Sequence, residues 1–250
     1  MIKQPLLTVE NLSVGYGTRV VCSGIHFTSN AGEICCIIGP NGCGKTTLLS
    51  TLYRQLAPLS GSILLHGADL THISAKDFAK QAAIVTTHRP RTGRTTCREI
   101  VETGRYPYVG LFGKLSERDH AAVSSAMQDA DVADLAEQYF TEISDGQKQR
   151  VLLAKAFAQD TKLLLLDEPT SFLDIRYRLE FLEVLSQKIK RTGLSVVMSV
   201  HEIAIARQTA DTVVCLGDGR MQACGKPDLL TDERIRALFQ LRMDAPLMIL

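Results

Sequence analysis

Residues 39 to 47 read Gly39-Pro40-Asn41-Gly42-Cys43-Gly44-Lys45-Thr46-Thr47, and they match the pattern G-x-x-x-x-G-K-[ST]. An apolar run precedes this segment and a helical pattern follows it, so the local order is strand, glycine-rich turn, helix. The glycines let successive backbone N–H groups point at phosphate oxygens, and the helix start adds its positive dipole end. Lys45 adds a point charge, and the Thr46 hydroxyl suits Mg²⁺. All nine residues are therefore predicted to form a nucleotide-phosphate site.

The composition is that of an ordinary globular protein. The chain has 250 residues, of which 45% are hydrophobic and 22% charged, and its formal net charge is +1. A dedicated nucleic-acid binder is usually clearly basic, so we expect no nucleic-acid partner. The first residues lack a signal-peptide pattern, and no stretch is long and apolar enough to span a bilayer. The seven cysteines show no metal-like spacing, and we expect them to be reduced in a cytosolic protein.

Strand and helix patterns alternate along most of the chain, which predicts an α/β fold around a mainly parallel sheet. Residues 6 to 34 alternate around glycine turns and predict antiparallel strands. The helix after the turn is expected to run from Lys45 to about Leu56, because Pro58 follows. Residues 88 to about 160 are mostly helical in pattern. We therefore predict one domain, with a core lobe at 1–87 and 161–250 and an inserted helical lobe at 88–160.

Two acids follow the apolar run Leu163-Leu164-Leu165-Leu166. Such short continuous apolarity suits a parallel strand that is buried on both faces, so Asp167 and Glu168 are expected at a strand tip. Asp167 can hold Mg²⁺ through its water shell, and Glu168 can polarise an attacking water. The alternative is a pair of surface acids after a core strand. Together with the P-loop, which is the glycine-rich segment at residues 39 to 47, the two acids predict nucleotide hydrolysis.

The segment Ser144-Asp145-Gly146-Gln147 resembles the L-S-G-G-Q signature of the ABC transporter ATPases. The resemblance covers nearly the whole chain and implies a P-loop NTPase (RecA-like) fold with an N-terminal antiparallel β subdomain and an inserted helical subdomain. It implies ATP and Mg²⁺ as ligands, and a homodimer in which each signature faces the partner's P-loop. The resemblance also implies roles for single residues. Tyr16 would stack on adenine, Ser144, Gly146 and Gln147 would contact the γ-phosphate, and Thr46 and Asp167 would contact the metal. Asp174 would belong to the D-loop, and His201 would bind the γ-phosphate and orient the catalytic Glu168.

Two positions depart from the family pattern. Asp145 stands where the family usually has glycine, and we expect its carboxylate to point outward, because an inward carboxylate would repel ATP. The Q-loop glutamine is missing, and alignment puts either Thr87 or His88 in its place. Either side chain could hydrogen-bond to metal-bound water, but neither copies an amide.

The run Gly104-Arg105-Tyr106-Pro107 resembles a segment of importer ATPases for iron-siderophore, haem and cobalamin. The plain alternative is a helix ended by Gly104 and Pro107. The resemblance implies a peripheral subunit on the cytoplasmic face of the inner membrane, bound to membrane permease subunits and acting indirectly with a substrate-binding protein. Basic residues within 89 to 105 are expected near the permease, a solvated basic face being the alternative.

Two other functions stay open from the sequence. One is the ATPase of an exporter or lipid-release system, which only the Gly104–Pro107 resemblance disfavours. The other is a soluble ABC protein of translation or DNA repair. Such proteins usually carry tandem ATPase domains or a long coiled-coil insertion, and this sequence has neither pattern. The cargo is not encoded in the sequence, because such ATPases touch the permease and not the cargo.

Overall fold

The structure is a computed structural model that describes residues 5–86, 93–110, 113–171 and 173–242. Its strands are β1 (Leu7–Tyr16), β2 (Arg19–Ser29), β3 (Ile34–Ile38), β4 (Ser60–Leu65), β5 (Ala68–Asp69), β6 (Ala82–Val85), β7 (Leu163–Asp167), β8 (Ser195–Ser199), β9 (Thr212–Gly217) and β10 (Arg220–Gly225). Its α-helices are α1 (Lys45–Leu52), α2 (Ala75–Ala79), α3 (Cys97–Glu102), α4 (Glu117–Asp129), α5 (Asp145–Ala158), α6 (Ile175–Thr192), α7 (Ile203–Thr209) and α8 (Asp232–Leu238). The strands of these described ranges form one sheet in the order β5-β4-β1-β2-β10-β9-β3-β8-β7-β6.

By internal packing the chain divides into two compact units. The first takes in the chain up to Ile73, Leu165–Glu168 and the chain from Ser195 onward. The second takes in Ser74–Leu164 and Pro169–Leu194. The helix α6 therefore belongs to the mostly helical second unit.

The first unit contains both kinds of strand pairing. β1 is antiparallel to β2 and to β4, which confirms the antiparallel strands predicted near the N-terminus. β3 is parallel to β8 and to β9, and every residue of β3 and β8 is buried. Strands covered on both faces explain the unbroken apolar runs in the sequence. β9 and β10 form an antiparallel hairpin.

The helix α1 ends at Leu52, four residues earlier than predicted. Arg54 has a φ of +65°, and the N–H groups of Gln55 and Leu56 both donate to the Ser50 carbonyl, at 2.9 and 3.1 Å. These bonds close the helix within one turn, before Pro58 can act as a stop. The predicted end at about Leu56 is therefore wrong.

In the second unit, the Gly104–Pro107 segment lies within a 3₁₀ helix, Thr103–Tyr108. A Cβ at Gly104 would lie 2.3 Å from the Lys155 carbonyl oxygen, so only glycine fits there. Arg105 is buried, and its Nε donates to Asp119 Oδ1 at 2.9 Å. The alternative of a solvated basic face does not hold for Arg105, because its side chain is buried and its charge is paired inside the unit. Arg89 and Arg91, which the same expectation covered, lie outside the described residues.

Candidate nucleotide site

The P-loop connects the end of β3 to the start of α1 in the first unit. Lys45 is buried, and its Nζ donates to the carbonyl oxygens of Gly39 and Pro40 at 2.8 and 3.1 Å. Gly39 has a φ of +153°, and a Cβ there would lie 2.0 Å from the Leu216 carbonyl oxygen. Glycine is therefore required where the loop leaves the sheet.

The start of α1 suits an anion. Its N-cap is Gly44, which has a φ of +107° and makes no side-chain cap hydrogen bond. The first N–H groups of a helix have no partners within the helix, so a phosphate can accept from them. A cavity of about 120 Å³ opens at this end of the helix. Its lining residues are Asn41, Gly42, Gly44, Lys45, Thr46, Thr47 and Glu168.

Cys43 lies within the loop, and its thiol is buried. Burial raises the pKa of the Cys43 thiol, so the thiol stays protonated near neutral pH. The remaining predicted loop residue, Thr47, is also buried. The backbone and Lys45, rather than these two side chains, therefore provide most of the polar groups that a phosphate could meet.

The predicted carboxylate pair stands at the tip of β7, beside α1 and β8. Asp167 is 5% exposed, and its Oδ1 accepts hydrogen bonds from Ser199 Oγ at 2.8 Å and Thr46 Oγ1 at 3.3 Å. Burial raises the pKa of the Asp167 carboxyl, and the Ser199 hydrogen bond opposes that rise. Glu168 follows with a φ of +47°, in the left-handed region that non-glycine residues rarely adopt.

Glu168 and His201 meet at this edge of the sheet. Glu168 Oε1 lies 2.5 Å from His201 Nε2, and the two side chains are 23% and 40% exposed. Both are thus accessible from solvent while their polar atoms are in contact. The structure therefore brings together four predicted site residues, Thr46, Asp167, Glu168 and His201, within the first unit.

Ser199 was not predicted as a site residue, although it contacts both acids of the pair. Its hydroxyl donates to Asp167 and accepts the Glu168 N–H at 2.8 Å. The sequence signal was a polar residue in the buried run of β8, two positions before His201. A small buried serine is common in strands, so that signal does not distinguish a site residue from a space-filling one.

The signature residues lie at the start of α5, in the second unit. Ser144 is the N-cap and forms a capping box with Gln147: Ser144 Oγ accepts the Gln147 N–H at 3.3 Å, and Gln147 Oε1 accepts the Ser144 N–H at 2.9 Å. A Cβ on Gly146 would lie 2.5 Å from the Tyr177 ring of α6. The Asp145 carboxylate is 53% exposed and lies 3.5 Å from Lys148 Nζ, which agrees with the expected outward direction.

The other predicted residues have local roles. Tyr16 ends β1 and is 55% exposed, which is compatible with the predicted adenine stacking. Asp174 is the N-cap of α6 and accepts the Tyr177 N–H at 3.0 Å. Thr87 and His88, the two candidates for the Q-loop position, lie outside the described residues.

Comparison with known proteins identifies the family. Residues 22–171, more than half of the chain, match the ABC transporter family. The chain belongs to that family. An ABC transporter ATP-binding protein of Methanocaldococcus jannaschii, described as uncharacterized, is 40% identical over 238 residues, covering 95% of this chain and 82% of the relative. The ferric enterobactin transport ATP-binding protein of Escherichia coli is 36% identical over 234 residues, covering 93% of this chain and 86% of the relative.

Solved structures agree with the predicted fold class. A protein described as a metal-chelate type ABC transporter in an inward-facing conformation has a TM-score of 0.84 and 29% identity, covering 95% of this chain and 90% of that one. The P-loop NTPase α/β fold is therefore confirmed. As an ABC transporter ATP-binding protein, the chain binds ATP and is an ATPase. Among the helices of the described ranges, none combines the length and apolarity that crossing a membrane requires.

Proposed function

We propose that this ABC ATPase energises import of an iron chelate, haem or a cobalamin-type substrate through a separate membrane permease. The contact of Glu168 with His201, beside the Thr46–Asp167 pair and the P-loop, carries the catalytic part of the proposal. The import part is supported by the relative named for ferric enterobactin transport and by the metal-chelate type transporter. In this proposal the chain works as a homodimer on the cytoplasmic face of the cell membrane.

Mg²⁺ belongs to the proposal, and the oxygen atoms present suit it. Mg²⁺ in nucleotide sites takes one or two protein oxygens together with phosphate oxygens and waters. Thr46 Oγ1 and Asp167 Oδ1, 3.3 Å apart, supply such a small set. No three His, Cys, Asp or Glu side chains of the described ranges gather into a metal cluster of their own. Bound there, the ion would offset charge on the β- and γ-phosphates.

In the proposed reaction Glu168 acts on the attacking water. Its carboxylate takes a proton while the water oxygen bonds to the γ-phosphorus, and the bond from that phosphorus to the β–γ bridging oxygen breaks. The products are ADP and inorganic phosphate. His201 Nε2, 2.5 Å from the carboxylate, fixes the direction of Glu168. Lys45 supplies positive charge at the base of the loop, where two carbonyls hold its Nζ.

The second copy is proposed to contribute the start of its own α5. Ser144 Oγ already accepts a hydrogen bond from Gln147, so its own hydrogen is available to an anion. The α5 N-terminus adds a positive dipole end to that hydroxyl. These groups suit a γ-phosphate that another subunit's P-loop holds.

Substitution of Glu168 tests the catalytic proposal. Glu168→Gln keeps the shape of the side chain but removes the proton acceptor, so we expect ATP hydrolysis to fall to background and an ATP-bound dimer to accumulate on gel filtration. Glu183→Gln, on the exposed face of α6, is the matched control and should hydrolyse ATP normally. A Glu168→Gln protein that stays monomeric with ATP and hydrolyses at the wild-type rate would contradict both proposed roles.

The transport proposal needs a separate experiment. Affinity purification from detergent-solubilised membranes is expected to recover a polytopic membrane protein encoded beside this gene. A neighbouring gene for a periplasmic or lipoprotein binding protein, and slow growth of a deletion strain when iron or cobalamin is limiting, would support import. Recovery of ribosomes or DNA instead would point to a soluble ABC protein.

A further inference from the structure

The hydroxyl of Ser199 connects the two acids at the tip of β7. It donates its hydrogen to Asp167 Oδ1 at 2.8 Å and accepts the Glu168 N–H at 2.8 Å. Ser199 has no exposed surface, so water does not compete for either bond. The Ser199 hydroxyl thus acts as a donor to Asp167 and as an acceptor from Glu168, two consecutive residues. The Asp167 carboxylate and the Glu168 N–H are therefore held by the same hydroxyl.

This connection matters because the backbone of Glu168 is unusual. Its φ of +47° lies in the left-handed region, where a side chain crowds the backbone. Such a conformation persists only where neighbouring contacts hold it. The N–H bond to Ser199 is one such contact, since it fixes the amide that precedes the Glu168 Cα. The direction of the Cα–Cβ bond, and hence the 2.5 Å contact with His201, follows from that backbone.

The need to satisfy a buried hydroxyl does not by itself explain the partners of Ser199. β8 is otherwise apolar from Val196 to Met198, and each polar group there must find a partner. Ser195, at the other end of the strand, meets this need with Ser29 and the Asn30 carbonyl, far from the acids. The Ser199 hydroxyl instead uses both of its bonds on the pair proposed to run the reaction.

We propose that Ser199 is a positioning residue for ATP hydrolysis: its hydroxyl holds Glu168 in the left-handed conformation that aims the carboxylate, and it orients Asp167 Oδ1 toward Thr46. The inference rests on the roles proposed above for Asp167 and Glu168. It predicts that removing the hydroxyl slows turnover while nucleotide is still bound by the P-loop.

Ser199→Ala in the full chain is the direct test. We expect kcat for ATP hydrolysis to fall roughly 10- to 100-fold, because small displacements of a reacting group cost about that much. The Kd for a fluorescent ATP analogue, measured without Mg²⁺, should stay within about 3-fold, since Lys45 and the loop amides are unchanged. Ser199→Thr keeps the hydroxyl and should restore most of kcat.

Two further variants separate positioning from stability. Ser195→Ala removes an equally buried, hydrogen-bonded hydroxyl from the same strand and should leave kcat near wild type, even where its melting temperature falls. Ser199→Cys keeps the volume but bonds weakly, so it should be slow, and it provides the test if the alanine variant does not fold. A slow Ser199→Cys beside a fast Ser199→Thr supports positioning.

Opposite results overturn the inference. It fails if folded Ser199→Ala or Ser199→Cys turns over within about 2-fold of wild type, if Ser195→Ala loses as much kcat, or if the whole loss appears in nucleotide affinity. Glu168→Gln in the same assay separates the two proposals. If Glu168→Gln is inactive and Ser199→Ala is unimpaired, only the role of Ser199 is wrong. If Glu168→Gln is active, the proposed catalytic role is wrong as well.

Discussion

Replacing Asp119 by alanine should strongly destabilise the helical unit. Asp119 and Arg105 form an ion pair whose side chains are only 10% and 8% exposed. Besides Asp119, Arg105 bonds the Ala158 carbonyl at 2.7 Å, which holds it at the end of α5. The second oxygen of Asp119 accepts the Ser116 N–H at 2.9 Å and the Ser116 hydroxyl at 2.6 Å, so the same carboxylate caps α4.

The expected cost follows from what Asp119→Ala leaves behind. Removing one partner of a buried ion pair costs about 3–5 kcal/mol, because the other charge stays buried without compensation. Loss of an N-terminal cap contributes about 1 kcal/mol, part of which overlaps with the first effect. We therefore expect the free energy of unfolding to fall by about 4 kcal/mol. For a chain of this size that is about 8–16 °C in melting temperature.

Chemical denaturation followed by circular dichroism measures this loss. The matched control is Glu137→Ala, which removes the acid of a surface pair with Arg98, where the side chains are 80% and 39% exposed. Exposed pairs contribute about 0–1 kcal/mol, so the control should be nearly neutral. If Asp119→Ala costs less than about 1 kcal/mol, as Glu137→Ala should, the reasoning from burial is refuted.

Three further outcomes follow from the structure. Gly39→Ala should weaken ATP binding more than about 10-fold, because its Cβ would meet a backbone oxygen at 2.0 Å. Gly110→Ala is the control and should bind ATP normally in the same titration, because its Cβ would have no atom of the described residues within 4 Å. Gly146→Ala should reduce ATPase activity with little change in ATP affinity, since its Cβ would meet the Tyr177 ring at 2.5 Å and shift the start of α5. Hydrogen bonds from Ser116, and then from Arg105, lower the pKa of Asp119 from 3.8 to about 2. The ionised Asp119 therefore stabilises the folded chain fully above pH 4, and this contribution disappears as the pH falls through 2. The difference in unfolding free energy between wild type and Asp119→Ala should therefore narrow as the pH falls from 4 to 2, as measured by denaturation at several pH values.

The nucleotide loop could be predicted from sequence because its chemistry is local. Gly39, Lys45 and Thr46 act within a few residues of one another, and the strand and helix around them follow from their own patterns. The Asp167–Glu168 pair also follows directly from the strand that precedes it. Such roles can be predicted from the residue types and their order along the chain.

Arg105 and Ser199 could not be predicted in the same way, because their partners are distant in sequence. Arg105 bonds a carbonyl 53 positions later, and the Ser199 hydroxyl meets residues 31 and 32 positions earlier. A run of arginines in the sequence shows net charge but not which guanidinium is buried. A serine inside an apolar strand shows a polar group but not its partner. Both answers depend on packing that only the folded chain brings about.

The starts of three helices in the second unit differ in the charge of one capping residue, and this difference bears on the γ-phosphate contact proposed for α5. Capping boxes begin α3, α4 and α5, and the third helical residue that completes each box is Glu99, Asp119 and Gln147 respectively. A carboxylate in that position bonds the cap and also cancels the positive end of the helix dipole. Gln147 makes the same bond with a neutral amide, and the one acid in the first turn of α5, Asp145, lies beside Lys148. The start of α5 therefore has the same capping box as the other two but a neutral residue at its third position, which favours the γ-phosphate contact proposed above.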